Sequence, residues 1–198
     1  GKYTLAFARY IEQASRDESV RRGSVNHTFA GARFALERWH TPPSGSLRDL
    51  TSELIAFAAG SHHGQFDCID EDGKDGYQHR QTAADIGYGE AKAAFLSRCA
   101  TEAELDTLFM AAVEEMAQAM ERFRPIAGTD EEMLFQYAML SRQILSAVID
   151  GDRRDTAEFC LGISIPHQVK EESALWQRCL RKVENRLQSF TDESEINR

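Results

Sequence analysis

Apolar residues in this chain return about every three or four positions, again and again, and no convincing pair of segments alternates apolar with polar. That spacing puts the apolar side chains on one face of an α-helix, whereas a half-buried strand needs a period of two. Val25, Phe29, Ala32, Leu36 and Trp39 form one such series. Leu47, Leu50, Leu54 and Phe57 form another, running into the small residues Ala58, Ala59 and Gly60. Thr101 with Glu104 and Thr129 with Glu132 each fit a capping box, in which hydroxyl and carboxylate satisfy the free N–H groups at a helix start. Behind the first run Leu105, Leu108, Ala112 and Met116; behind the second run Phe135, Met139, Ile144 and Val148. A last amphipathic helix is predicted over residues 171–188, through Leu175, Cys179, Val183 and Leu187. The pattern predicts an all-α domain.

Two segments interrupt it. Pro42 and Pro43 in residues 41–46 break the helix on either side. Residues 64–80 are rich in Asp and Gly and read as a loop. A calcium loop starting at Asp70 would need its bidentate Glu where Gln81 stands, so a solvated turn is expected there instead. The polar tail 191–198 reads as a linker toward a further module, with residues 1–190 as the domain.

With 198 residues, 42% hydrophobic and 28% charged, the chain has the makings of one soluble globular domain. No apolar run approaches the roughly 20 residues that span a bilayer, and no basic-then-apolar signal segment opens the chain, so a cytoplasmic protein with no membrane partner is expected. The four cysteines, Cys68, Cys99, Cys160 and Cys179, are scattered without a Cys-x-x-Cys pair. Reduced thiols, mostly acting as small core residues, are the expectation. A net charge of -9 argues against a broad surface for nucleic acid, although divalent cations reverse local charge at an active site.

Three polar clusters stand out against the helical background. His27 precedes Gly31 by one helical turn, leaving room beside it on that face. Taken alone, His27 reads as a structural histidine. His62 and His63 are flanked by Gly60 and Gly64. Neighbours on a regular helix point about 100° apart, so two adjacent imidazoles converge on one ion only at a helix end, or serve two ions. The competing reading is a surface pair at a helix C-terminus. Asp150 and Asp152 follow the apolar run 144–149. On a continuing helix they face nearly opposite ways, so only one points into any site; alternatively Gly151 ends the helix and Asp155 caps the next. Imidazole with carboxylate suits a first-row transition metal, and two such ions can flank a phosphodiester.

In this order and spacing the clusters resemble the HD nuclease domain of the CRISPR-associated type I helicase-nuclease. That family carries His-Asp-x-Gly-Lys-Tyr before an aromatic-rich helix, and Gly1-Lys2-Tyr3-Thr4-Leu5-Ala6-Phe7 continues the pattern from its second half. His27 with Ala30-Gly31-Ala32 matches the next motif, and Ala59-Gly60-Ser61-His62-His63-Gly64 matches the family's Ile-Ala-x-His-His-Gly. Residues 146–156, with Asp150, Asp152, Arg153, Arg154, Asp155 and Thr156, track a third, and Ile196-Asn197-Arg198 is similar to the join to the helicase.

The resemblance implies an HD-superfamily helical domain with a metal site between helices. It makes His27, His62 and His63 metal ligands, Asp152 the carboxylate that closes the site, with Asp150 as runner-up, and Lys2 the signature lysine that contacts phosphate or assists proton transfer. It further implies divalent transition metal ions (Mn, Ni, Co or Fe), two in the complete domain. The family's His-Asp dyad and an earlier His have no counterpart in this chain, so a partial site is expected of it. The implied activity is degradation of single-stranded DNA in type I CRISPR interference, by metal-activated water attack on the phosphodiester. The implied partners are single-stranded DNA, a helicase module in the same polypeptide and the CRISPR RNA-guided surveillance complex. Two other readings fit the residues: an HD phosphohydrolase on nucleotides, and a non-catalytic helical interaction module with an incomplete metal site.

Overall fold

A computed structural model describes residues 2–16, 25–26, 28–42, 45–64, 69, 72–164 and 173–190. His27, Cys68 and the tail 191–198 lie outside the described residues. Among those described there are eight α-helices and no strand, as the periodicity predicts: α1 (Leu5–Arg16), α2 (Phe29–Trp39), α3 (Leu47–Ser61), α4 (Gly76–Thr82), α5 (Tyr88–Arg98), α6 (Glu102–Phe123), α7 (Asp130–Leu161) and α8 (Ser173–Gln188). A short 3-10 turn, Ala84–Ile86, precedes α5, and an isolated bridge joins Ile69 to Asp75. The chain divides into two compact units, Gly1–Thr156 and Ala157–Arg198. No described helix is long and apolar enough to cross a membrane.

In the first unit, α2 and α3 pack against each other most extensively, with α4, α5 and α6 around them. Small residues allow the approach: a Cβ built on Gly31 would meet the Ala59 methyl at 3.4 Å. The core gathers Phe29, Ala32, Ala35 and Trp39 of α2 with Ala56 of α3, Ile86 and Phe109 of α6. Trp39 stacks on Phe109 with centroids 4.4 Å apart and planes nearly parallel, which locks α2 to α6. The Trp39 indole N–H donates to Asp106 at 2.8 Å, so the ring is buried without an orphaned donor. Arg38 adds a two-pronged grip on Asp106, at 2.7 and 2.6 Å.

Helix starts follow their caps. The capping box at Thr101 forms as expected, with Glu104 N–H donating to the threonine hydroxyl and Thr101 N–H to the Glu104 carboxylate. Thr129 and Glu132 make the same reciprocal pair before α7. Ser46 and Asp49 form a third box, which restarts the chain as α3 after the proline break. The Asp49 carboxylate accepts from Thr41 N–H, Ser46 N–H and the Ser46 hydroxyl, and these donors hold its pKa down at about 2.

Several expectations are corrected. Residues 64–80 are not all loop: Asp75 accepts from Gln78 N–H at 2.8 Å and caps α4, which begins at Gly76. Val25 sits in a bend ahead of α2. Gly151 does not break the chain, because α7 continues through it to Leu161; one glycine costs a helix only about 1 kcal/mol. The buried stripe of α7 is set by Tyr137 and Leu145 rather than by Phe135 and Met139, which are exposed. The cause is the Tyr137 hydroxyl, which donates to the Leu50 carbonyl at 2.9 Å and commits that face to α3. Likewise Phe109 is buried on α6 while Leu108 is exposed. Cys99, Cys160 and Cys179 are free thiols at exposed positions, not core residues. In the second unit, α8 forms at the expected place, and Leu175, Val183 and Leu187 along its apolar face are exposed.

Candidate metal centre

Lys2 is placed by its neighbour. The Tyr3 ring meets Phe95 of α5 edge-on, centroids 5.5 Å apart, and Arg98 donates to the Tyr3 carbonyl at 3.0 Å. Thr4 is buried and its hydroxyl accepts from Phe7 N–H, which starts α1. With the flanking residues fixed in this way, the Lys2 ammonium reaches the Asp152 carboxylate and pairs with it.

The histidines stand where α3 ends. Ser61 is the last helical residue, His62 caps the helix, and Gly64 N–H donates to the Ser61 carbonyl at 3.0 Å. Leaving the helix lets adjacent rings turn to one side, which a continuing helix forbids. Their centroids lie 4.1 Å apart. His62 Nδ1 is 2.8 Å from the Ala59 carbonyl oxygen, so Nδ1–H donates to that carbonyl. A carbonyl that accepts from one ring nitrogen is a common way for a protein to fix the aim of a histidine.

Asp152 comes from α7. One donor atom from each of His62, His63 and Asp152 lies within 4.8 Å of the others. Burial acts to raise the Asp152 pKa, but the Lys2 hydrogen bond and charge, together with His62 and His63, outweigh it and leave the pKa below the ordinary aspartate value. The His63 pKa lies below the usual histidine value, first from its partial burial and next from the His62 imidazole beside it.

The three donors fit a first-row divalent ion. Two imidazole nitrogens and one carboxylate oxygen on one side of an ion is a recurring set for such metals, leaving other positions open. His62, His63, Asp152 and Lys2 are thus brought together. Asp150 is outside the group, since two helical positions turn it roughly 200° away. His27 lies outside the described residues.

Sequence reasoning missed the wall behind these residues. Lys2, His62 and Asp152 line a cavity of about 420 Å³. Phe34, Trp39, Tyr88 and Phe95, with Ile55 and Leu105, share that lining. The available signal was the series Tyr88, Lys92 and Phe95, which lies on one face of α5.

No protein-family model, no curated protein and no solved structure matches this chain.

Proposed function

We propose that this chain is the nuclease domain of an HD-type helicase-nuclease and cuts single-stranded DNA, as in type I CRISPR interference. The reading rests on one observation: His62 and His63 at the end of α3 and Asp152 on α7 offer donor atoms within 4.8 Å of one another. They are three of the four metal positions that the motif resemblance implies; the fourth, His27, lies outside the described residues. The relation to the HD superfamily belongs to the same proposal.

In this reading His62, His63 and Asp152 hold a divalent transition-metal ion. The ion supplies Lewis acidity toward a phosphoryl oxygen and lowers the pKa of water. The chain's own residues do the rest. The Ala59 carbonyl orients the His62 ring by accepting from its Nδ1–H. Lys2, exchanging Asp152 for the strand, sets its ammonium against a phosphate oxygen. A single strand can bend into such a cleft, where a stiff duplex cannot. The helicase module and the RNA-guided surveillance complex are the partners that would deliver the strand.

Two linked measurements test the reading. Manganese is titrated calorimetrically into metal-free protein, then circular single-stranded DNA is incubated with the protein and manganese, nickel, cobalt or magnesium. Binding that His62→Ala weakens by about 100-fold or more, with degradation lost in the same variant, is the expected result. Failure to bind any of these ions overturns the metal reading. Binding without degradation of any strand turns the assignment toward the phosphohydrolase or the interaction module.

A further inference from the structure

We infer that the aromatic cavity beside His62 and Asp152 takes one nucleobase of the strand whose phosphate lies at the metal centre. This rests on the nuclease reading and adds to it the part of the substrate that is bound and the means of binding. One lining carries both kinds of group: Lys2, His62 and Asp152 are polar, while Phe34, Trp39, Tyr88, Phe95, Ile55 and Leu105 are aromatic or aliphatic. A ligand matching both kinds carries an anionic group joined by a short link to a flat apolar ring. A nucleotide has that form. The cavity, at about 420 Å³, is within the range of roughly 300–1,000 Å³ usual for small-ligand sites.

Three polar groups of the wall are already engaged. The Trp39 N–H donates to Asp106 at 2.8 Å, Tyr88 is hydrogen-bonded to Glu37, and Lys92 pairs with Glu102 at 3.2 Å. What these side chains present to a guest is therefore mainly ring faces, ring edges and methylene groups. Such a wall favours stacking, which any base can supply, and so gives binding tolerant of sequence. The rings are also braced. Phe34 meets Trp39 edge-on at 5.6 Å between centroids, and Trp39 is fixed on Phe109. A rigid wall loses little freedom when a base enters.

Trp39 provides the readout. The chain has two tryptophans, so Trp176→Phe leaves Trp39 as the sole reporter. In that background, tetrathymidylate is titrated into metal-free protein and Trp39 emission is followed. A tetramer of abasic deoxyribose phosphate serves as the base-free control. Tetrathymidylate is expected to shift the emission saturably and the abasic tetramer to leave it unchanged. Phe34→Leu keeps the apolar volume, removes a ring, and is expected to weaken tetrathymidylate binding by about 5- to 100-fold. Manganese affinity should be retained in that variant. Val148→Phe, which fills the cavity from α7 at a half-exposed position, is expected to block the emission change. An equal response to the abasic tetramer overturns the inference, as does unchanged tetrathymidylate affinity in both variants. Manganese binding without any Trp39 response removes the base site and leaves the metal centre. A Trp39 response without manganese binding does the reverse.

Discussion

The Lys2 ammonium and the Asp152 carboxylate, 150 residues apart in the chain, form an ion pair at the candidate metal centre. The lysine puts a positive charge beside the carboxylate that a bound cation needs. Loading the centre therefore exchanges one cation for another. Both side chains are partly exposed, at 42% and 24%, so the pair is worth only about 0.2–1 kcal/mol. Lys2→Met should tighten manganese binding by roughly two- to fivefold, the range that removing such a competitor allows. Strand cleavage should fall in the same variant, because the phosphate loses its ammonium. Calorimetry on the wild type and Lys2→Met decides the first point. Weaker manganese binding in the variant would mean that Lys2 organises Asp152 for the ion instead of competing with it.

Asp152 and Asp150 make a second comparison, because only Asp152 joins the two histidines. Asp152→Asn should lose manganese affinity by at least about 30-fold, while Asp150→Asn should stay within about twofold of the wild type. Neither change should lower thermal stability much, since Asp152 is half-buried at most and Asp150 is exposed. Equal losses in both variants would mean that α7 is rotated in the loaded protein.

How far the sequence led can be followed residue by residue. Helix type was legible in α2, α3, α6, α7 and α8, where period and capping are strong local signals, but not in α4, which falls in the stretch read as loop. The boxes at Thr101 and Thr129 are read directly from residues three apart. Which face of a long helix is buried was less legible. On α7 the apolar pattern favoured Phe135 and Met139, yet the hydrogen bond from Tyr137 to the Leu50 carbonyl fixed another face. That bond spans 87 residues, and no local pattern reports it. The same limit applies to Gly151, where continuation of α7 is decided by the whole helix. The nearness of His62, His63 and Asp152 is a tertiary relationship, and it was the order of the motifs that singled these residues out as candidates. The aromatic wall behind them was not legible, because Phe34, Trp39, Tyr88 and Phe95 are indistinguishable from core residues until helices are packed.

Gly60 and Tyr77 show where the fold has no slack. A Cβ on Gly60 would stand 2.9 Å from the Tyr77 hydroxyl and 3.3 Å from rings of both Tyr77 and Phe29. Tyr77 cannot move aside freely, since its hydroxyl donates to the Ala56 carbonyl at 2.5 Å and its ring is set edge-on to Phe29. Burial also pushes the Tyr77 pKa up, so the hydroxyl stays protonated as donor. Gly60→Ala should gain about 1 kcal/mol of helix propensity and lose about 1–3 kcal/mol to overpacking. Urea unfolding should show a net loss of stability. The double variant Gly60→Ala, Tyr77→Phe should recover part of that loss, because the nearest atom is gone. A more stable single variant would show that α4 shifts away from α3 without cost.

Asp106 ties the grip between α2 and α6 to pH. Its carboxylate accepts from Arg38 and from the Trp39 indole, and these bonds hold its pKa at about 2, below the ordinary aspartate value of 3.8. As pH falls below 3.8, the unfolded chain takes up a proton here before the native chain does. The stabilisation is thus complete above 3.8 and is lost as pH falls toward about 2. Asp106→Asn removes the titrating group and should lower the melting temperature at neutral pH. The gap between wild type and variant should then narrow steadily through the same acid window. Melting curves followed by circular dichroism at several pH values measure it. A gap that stays constant from neutral pH to the acid limit would mean that Arg38 and Trp39 are held by their packing, with the carboxylate contributing nothing of its own.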